Sequence, residues 1–429
     1  MCFYCKENRE MSVERNNSVG GKSGEKISRR GFIAGAGAAA FSFAAMKPEL
    51  AFGTEGNSKI RLGMIGCGDR GKDIGDRFVG HGGYEIVAAA DYFHDRVDEF
   101  GEKFGLESGK RFTGLSGYKK VLVSGVDAVA IESTPYFHPE QAAAAIDAGV
   151  HVYLAKPCAI DVWGCNLISE SGRKATANRR VMLVDFQTRA NEFYREAVKR
   201  VHYGDIGNLM YGEANFVTGP TWLTWNPIGK ILEKRSDPEA RLRAWGLSRE
   251  LSGDIITEQA IHALDVASWI LEEDASKAYG AGGLKSRKTG NCWDYFTVVY
   301  EFSKGVLLTF HCKQGGTDDF GGIDCTMFGT KGAIDTHYGG AVSIRGGTPY
   351  PGGKTSEIYW GGVKKNIADF YDNIAKGRYE NTTVGESVRS ALNSILGRSA
   401  AYEGREMKWG EMMQKGEKFE VDFLKDLKA

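Results

Sequence analysis

The sequence predicts an α/β protein that begins with a doubly wound parallel sheet and continues into a second domain. Three observations lead to this prediction. The chain has 429 residues, which exceeds the size at which a single core keeps growing. Short apolar runs alternate with helical stretches in the first half, as in βαβ units. A glycine-rich turn joins the first apolar run to the first helix.

That turn has the spacing of a dinucleotide-binding motif. An apolar strand, 59–65, precedes it and a helix, 72–79, follows it. Glycines there allow a tight turn and close approach of the backbone to a pyrophosphate, whose charge lies at the helix N-terminus. The alternative is a glycine turn of another α/β protein. The residues expected to bind cofactor are Gly66, Gly68, Asp69, Arg70 and Gly71.

An acidic residue ends the second strand, "YEIVAAAD", at Asp91. A carboxylate at this position accepts hydrogen bonds from the ribose 2′-hydroxyl and repels a 2′-phosphate, which favours NAD over NADP. Arg96, which lies nearby in the sequence, leaves NADP as an alternative cofactor. We expect Arg70 to lie over the adenine and help retain the cofactor.

Three further strands continue the first domain: 126–133, 151–157 and 181–186. The organisation that we predict is a disordered N-terminus, signal and linker over 1–57, a dinucleotide-binding domain over 58–187 and a substrate-binding domain over 188–429. Amphipathic helices are expected at 364–379 and 383–409.

Charge and cysteine usage narrow the function classes. Lys and Arg total 55, as do Asp and Glu, so no net field attracts nucleic acid or an anionic membrane. Cys2 and Cys5 form a CxxC upstream of the export signal, whereas the other six cysteines lack the spacing of metal ligands. Most of the cysteines are expected to be buried free thiols. We predict no metal site.

The N-terminal segment resembles an export signal. Arg29 and Arg30 precede a weakly hydrophobic run, 34–45, and this pattern is typical of the twin-arginine pathway. The run is too short for a transmembrane helix. The alternative is a chance Arg-Arg before a buried helix. We expect export to the periplasm or cell envelope through the twin-arginine translocase, without stable membrane insertion.

The stretch "STPYFHPEQAAAAIDAGVHVYLAKP" resembles the TPxxxH, AGxHV and EKP pattern of the Gfo/Idh/MocA oxidoreductases. "GDIITEQAIHALDVASWIL" is similar to the catalytic helix of that family. The resemblance runs from about residue 60 to the C-terminus. It implies a Rossmann domain, then an α+β domain with an open, largely antiparallel sheet. It also implies a sugar or glycoside substrate and a homo-oligomer.

The resemblance implies a catalytic set. Lys156 hydrogen-bonds the reacting oxygen and His262 is the general acid/base; Asp265 contacts substrate or tunes His262. We expect one helix to place Glu258, His262 and Asp265 on a shared face, where a carboxylate raises the proton affinity of the imidazole. Ala155 replaces the glutamate of EKP, so the role of that glutamate is lost or supplied elsewhere.

Other candidates have two interpretations each. In the TPxxxH block Thr134 and His138 are candidate cofactor residues, and His138 either starts a helix or contacts the nicotinamide. Gln187 and Arg189 either bind substrate or belong to an interdomain salt bridge. The tryptophans at 222 and 245 either stack on sugar or make core or subunit contacts. The residues concerned are Thr134, His138, Gln187, Arg189, Trp222 and Trp245.

An exported enzyme has no NAD pool to draw on, so we expect the nicotinamide cofactor to stay tightly bound and to be regenerated in place. The predicted function is hydride transfer between a ring hydroxyl of a sugar or glycoside and that cofactor. The alternatives are an NAD-dependent glycoside hydrolase that oxidises its substrate transiently and a scaffold that only binds.

Overall fold

The computed structural model describes residues 59–219, 236–317 and 321–429. Its first sheet is parallel and has six strands in the order β3-β2-β1-β4-β5-β6, which confirms the predicted Rossmann sheet. Its central strands are buried almost throughout, as expected where helices cover both faces. The strands are β1 (Ile60–Ile65), β2 (Tyr84–Asp91), β3 (Arg111–Thr113), β4 (Ala128–Ile131), β5 (His151–Ala155) and β6 (Met182–Asp185).

Helices connect these strands in the βαβ manner. The first begins within the glycine motif, at Asp69, three residues earlier than the sequence suggested. The helices of this part are α1 (Asp69–His81), α2 (His94–Lys103), α3 (Gly117–Leu122), α4 (His138–Asp147), α5 (Val162–Ala177), α6 (Gln187–Ala190) and α7 (Glu192–His202).

The second sheet has nine strands, in the order β14-β13-β12-β11-β7-β10-β9-β8-β15. Its pairs are antiparallel except β7 with β10, which confirms an open, largely antiparallel sheet. The strands are β7 (Leu209–Thr218), β8 (Lys277–Gly283), β9 (Tyr295–Glu301), β10 (Leu307–Gln314), β11 (Gly322–Gly329), β12 (Gly332–His337), β13 (Ala341–Gly346), β14 (Tyr350–Lys354) and β15 (Met407–Lys408).

The helix expected to carry Glu258, His262 and Asp265 on one face is broken, so that prediction was wrong. One helix ends at Glu258 and the next begins at Ile261; a two-residue turn, Gln259 and Ala260, separates them. The helices between the sheets' strands are α8 (Pro238–Arg243), α9 (Arg249–Ser252), α10 (Asp254–Glu258) and α11 (Ile261–Leu271).

Two long C-terminal helices pack back on the protein, close to the predicted ranges. Val363, Ile367 and Phe370 of the first share an apolar cluster with Leu62 and Met64 of β1. This helix therefore covers one face of the parallel sheet. The helices are α12 (Ile358–Lys376), α13 (Thr382–Glu403) and the short α14 (Trp409–Lys415).

The six cysteines within the described ranges are buried and free, as predicted. Among the helices in those ranges, none combines the length and apolar character needed to cross a membrane. Nor do the described residues hold a group of three or more His, Cys, Asp or Glu side chains with the geometry of a metal site.

Candidate active site

The glycine turn after β1 leaves no room for side chains on two sides. Gly66 has φ +97°, and a Cβ there would lie 2.5 Å from the backbone of Glu132. A Cβ on Gly71 would lie 2.0 Å from the carbonyl oxygen of Gly66. At Gly68 the nearest atom to such a Cβ is Nη1 of Arg96, 3.8 Å away. The turn therefore packs closely against other backbone at Gly66 and Gly71. At Gly68, next to the N-terminus of α1, it leaves space.

A cavity opens at this turn along the carboxyl ends of the parallel strands. Strand ends of both halves of the sheet contribute to it, which is the place where a doubly wound fold binds a dinucleotide. Its lining includes Gly66, Gly68, Asp69, Arg70, Gly71, Asp91, Arg96, Glu132, Ser133, Thr134, Arg243 and Trp245.

Asp91 faces this cavity but also holds the turn. Its Oδ2 accepts a hydrogen bond from the Cys67 N–H at 2.8 Å, and its Oδ1 accepts one from the Phe93 N–H at 3.0 Å. Burial raises the pKa of the Asp91 carboxyl despite these bonds. A contact between Asp91 and the cofactor ribose stays a prediction. Asp91 also has a structural role, because it binds the backbone of the turn.

Arg70 does not extend over the adenine site, so its expected role as a clasp was wrong. One guanidinium nitrogen lies 2.7 Å from Oδ2 of Asp185, and Nε lies 3.4 Å from Oε2 of Glu132. The other terminal nitrogen donates to the hydroxyl of Tyr359 at 3.0 Å. Two buried carboxylates attract the side chain inward more strongly than solvent does.

Lys156 follows β5 at the same edge of the sheet and is paired with Glu258. Its Nζ lies 3.0 Å from Oε1 of Glu258 and also donates to the carbonyl oxygen of that residue. The two side chains are 17% and 10% exposed. Lys156 therefore has a carboxylate partner in Glu258, although the residue before it, Ala155, cannot provide one.

His262 begins the second half of the broken helix and does not have the environment that the sequence suggested. Its Nδ1 is buried and has no hydrogen-bond partner among the described residues. Burial, followed by the charges of Lys156 and Arg70, holds the pKa of His262 well below its usual range. The imidazole is therefore neutral at pH 7, and the expected rise in its proton affinity was wrong.

Asp265 is fully buried and belongs to an ion pair, which argues against contact with substrate; the alternative, that it tunes His262, stays a prediction. Both carboxylate oxygens lie within hydrogen-bond distance of the Arg189 guanidinium, at 3.0–3.1 Å, and Ser390 donates to Oδ1 at 2.6 Å. Arg189 also pairs with Glu386 at 2.8 Å. Of the two interpretations of Arg189, the salt bridge is the one that the structure shows.

His138 starts α4 and is 1% exposed, with Nδ1 2.8 Å from the Pro157 carbonyl oxygen and Nε2 2.9 Å from that of Ser133. Burial lowers the pKa of His138 to about 4. Both ring nitrogens contact the backbone, so His138 is not free to contact a nicotinamide.

The remaining substrate candidates differ in position. Gln187 is 1% exposed and donates to Asp185 at 3.3 Å, so it does not reach substrate. Trp245 lines the cofactor cavity and packs against the cluster around Phe93 and Leu242, which favours the core interpretation over sugar stacking. Trp222 lies outside the described residues.

Sequence reasoning missed the carboxyl groups beneath the cavity. The side chains of Glu132 and Asp185 have no exposed surface, and Asn366 of α12 donates to Oδ1 of Asp185 at 2.7 Å. Tyr338 lies against His262, with ring centroids 5.6 Å apart. A signal was available: Glu132 directly follows one apolar strand and Asp185 ends another, at the edge where ligands bind.

Comparison with known families agrees with this geometry. Residues 60–183 match the oxidoreductase family with an NAD-binding Rossmann fold, and residues 194–335 match the GFO/IDH/MocA C-terminal domain. The chain belongs to the Gfo/Idh/MocA oxidoreductase family. Its twin-arginine segment lies outside both matches and outside the described residues.

Two relatives of known activity are inositol 2-dehydrogenases, and one solved structure of similar fold is a levoglucosan dehydrogenase. Inositol 2-dehydrogenase 3 of Saccharopolyspora erythraea is 26% identical over 64% of this chain and 72% of its own length. An inositol 2-dehydrogenase of Klebsiella pneumoniae is 27% identical over 67% and 76%. The structure of a levoglucosan dehydrogenase with NADH and levoglucosan has a TM-score of 0.64 at 17% identity and covers 82% of this chain and 99% of its own.

The Gfo/Idh/MocA chain described here is an oxidoreductase with an NAD site. The close backbone packing at Gly66 and Gly71, together with the opening at Gly68, fits a pyrophosphate. The α1 N-terminus and the turn would hold the phosphates, and Asp91 would face the adenosine half. The ends of β4 and β5 would face the nicotinamide half, because the two halves of such a sheet each bind one mononucleotide.

Proposed function

We propose that this protein is an exported oxidoreductase that transfers hydride between a ring hydroxyl of a sugar, polyol or glycoside and a tightly held NAD. The observation that carries the proposal is the Lys156–Glu258 pair at the carboxyl end of β5, within electrostatic range of the neutral His262. A cation and a base near one oxygen are what oxidation of a carbinol requires.

In the proposed reaction NAD, when bound, accepts the hydride. The Lys156 ammonium donates a hydrogen bond to the substrate oxygen and stabilises the negative charge that develops there. The neutral imidazole of His262 accepts the hydroxyl proton as the C–H bond breaks. Glu258 orients Lys156, since it binds the ammonium through both its side chain and its backbone carbonyl.

Export and tight retention of the cofactor are parts of the same proposal. The twin-arginine translocase carries folded proteins, so a cofactor bound in the cytoplasm can leave with the enzyme. A second substrate or an electron acceptor must then reset it in place. Slow dissociation, rather than fast association, is what such retention needs.

The decisive experiment recovers the full chain from the cell envelope, passes it through gel filtration without cofactor and assays the denatured supernatant for nicotinamide. Near-stoichiometric NAD or NADH supports the proposal; a protein that emerges empty and needs added NAD contradicts it. Incubation with a panel of glycosides then separates the chemistries by mass spectrometry. Loss of two hydrogens indicates oxidation, whereas a free aglycone with an unaltered sugar indicates hydrolysis.

We also propose that the protein is a homo-oligomer that associates through the open face of the nine-stranded sheet. Large apolar side chains lie exposed in register across this face: Tyr279 is opposite Val299 and Leu307 is opposite Tyr211. Tyr211 also stacks on Phe328, with ring centroids 4.6 Å apart. Exposed aromatic patches of this kind are typical of protein contacts. Sedimentation of the wild type and of a Tyr211→Glu, Tyr279→Glu variant tests this: the wild type should be oligomeric and the variant monomeric.

A further inference from the structure

The proposed reaction leaves one proton without a stable acceptor. His262 receives it in the first instance, but its neighbours include the cations of Lys156 and Arg70. A protonated imidazole beside two positive charges in a buried site is unfavourable. Another group must therefore hold the proton between the two halves of the reaction.

Glu132 is a candidate for that role because it shares its cationic neighbours, Arg70 and Lys156, with His262. It directly follows β4, lines the cofactor cavity, and its side chain has no exposed surface. Its carboxylate contacts Arg70, whose Nε lies 3.4 Å from Oε2, and Oε1 has no hydrogen-bond partner among the described residues. A buried carboxyl in this state accepts a proton readily, because burial disfavours its ionised form.

The charged and titratable groups that act on Glu132 come from α1, from β5 and its end, and from β6. Arg70 of α1 and Lys156 after β5 favour its ionised form, whereas Asp185 of β6 and burial favour its neutral form. Tyr153 of β5 faces the same cluster. Burial is the largest effect and raises the pKa of Glu132 to about 8. Arg70 and Tyr153 keep their protonation state near this pH, since the pKa of each is raised above its usual range.

We infer that Glu132 takes up the proton released by substrate oxidation and returns it in the second half-reaction, so that its charge follows the redox state of the bound cofactor. This inference rests on the proposed function. The carbinol loses its hydride to the nicotinamide and its proton, through His262, to the Glu132 carboxylate. Reduction of a carbonyl group of the second substrate to a carbinol takes up that hydride and that proton and restores the ionised carboxylate.

The electrostatic reason is the charge of the nicotinamide ring. The oxidised ring is positive and stabilises ionised Glu132, whereas the reduced ring is neutral and does not. By linkage, ionised Glu132 must favour NAD⁺ over NADH by the same factor. A positive ring and a negative carboxylate in one site of intermediate dielectric constant attract each other. This attraction changes the ratio of NAD⁺ to NADH affinity by about tenfold.

A competition experiment tests the inference without measuring turnover. Purified protein is equilibrated with a fixed mixture of NAD⁺ and NADH between pH 6 and pH 9.5, and the bound nucleotides are separated and identified. The bound NAD⁺/NADH ratio should rise by about tenfold with pH in the wild type. It should stay flat in Glu132→Gln, which keeps the shape and cannot ionise.

Two further variants make the result specific. Glu140→Gln removes an exposed carboxylate from α4 and should keep the wild-type rise. Asp185→Asn removes a negative neighbour and should move the rise to lower pH. If Glu132→Gln does not fold, calorimetry of the wild type in two buffers decides: NAD⁺ should release a proton near pH 7.5 on binding and NADH should not.

The failures are distinguishable. Protein that binds neither nucleotide contradicts the proposed function. Protein that binds both with a ratio independent of pH, or a Glu132→Gln variant that keeps the rise, overturns the assignment of Glu132 alone.

Discussion

The Nζ of Lys156 lies 3.0 Å from Oε1 of Glu258, a residue 102 positions further along the chain. The two groups come from different parts of the fold, the end of β5 and the last residue of α10. Ala155 stands where the EKP pattern has a glutamate, so the residue before Lys156 has no carboxylate. The carboxylate beside Lys156 comes from another element, through Glu258.

Removing the Glu258 side chain should misplace Lys156. Glu258→Ala should lower kcat by about 10², the loss expected when a catalytic group moves by about an ångström, while KM changes little. Steady-state kinetics with the sugar or polyol that the enzyme oxidises measures this. Adding Ala155→Glu to that variant should restore part of the rate, because a carboxylate returns beside Lys156. A rate unaffected by Glu258→Ala would mean that the pair is only structural.

Lys156 and His262 should act on one proton transfer. Lys156→Ala and His262→Ala should each lower turnover by about 10²–10⁴. The double variant should lose much less than the product of the two factors, since residues that work as a unit are non-additive. Single-turnover measurements on protein with its cofactor bound check this, and multiplicative losses would assign the residues to separate steps.

Asp91→Asn should weaken both the protein and its hold on NAD. An amide can accept at only one of the two sites that now bind the Cys67 and Phe93 N–H groups. We expect a loss of about 1–3 kcal/mol in the free energy of NAD binding and a lower melting temperature without nucleotide. Titration with NAD and NADP, paired with thermal unfolding, separates the effects. An unchanged melting temperature would contradict the structural role of Asp91 and leave the ribose contact as its only role.

Asp265→Ala should destabilise the fold, because it leaves the Arg189 guanidinium, 7% exposed, without its main partner. Breaking a buried pair costs about 3–5 kcal/mol of unfolding free energy, whereas replacing both members with apolar residues costs far less. Denaturant unfolding of Asp265→Ala and of the double variant Arg189→Met, Asp265→Leu measures this. Asp369→Asn, which removes a partly exposed partner of both Lys365 and Arg195, is the control and should change stability by about 0–1 kcal/mol. A stable but inactive Asp265→Ala would restore a catalytic role.

His138 should make the protein less stable in acid. Its folded pKa of about 4 lies below the ordinary value of 6.5, so the unfolded state binds the proton more strongly. The corresponding stability is present above pH 6.5 and is lost as pH falls toward 4. Urea unfolding at pH 7 and pH 4.5 should show a loss of about 2–3 kcal/mol that His138→Gln lacks. An equal loss in the variant would move the effect to another group, and His151, which is also buried with a lowered pKa, is the first to examine.

The sequence by itself determined the local features of this protein. The strand, glycine turn and helix from 59 to 81 could be recognised because each depends on neighbouring residues: apolar runs, the freedom of glycine at Gly66 and helix periodicity. The alternation of strands and helices then determined the parallel sheet, since strands joined by a helical crossover run in the same direction. Family motifs supplied Lys156 and His262.

Only the tertiary structure decided which side chains meet. Helical spacing placed Glu258 beside His262, but one helix ends at Glu258 and its carboxylate pairs with Lys156. Arg70 turned inward because β4 and β6 bring Glu132 and Asp185 together beneath it. Burial then set the protonation of Glu132 and His262, and burial depends on every element that excludes water from them. Spacing along the chain contains no record of these long-range contacts, and so the roles of these residues could not be predicted from it.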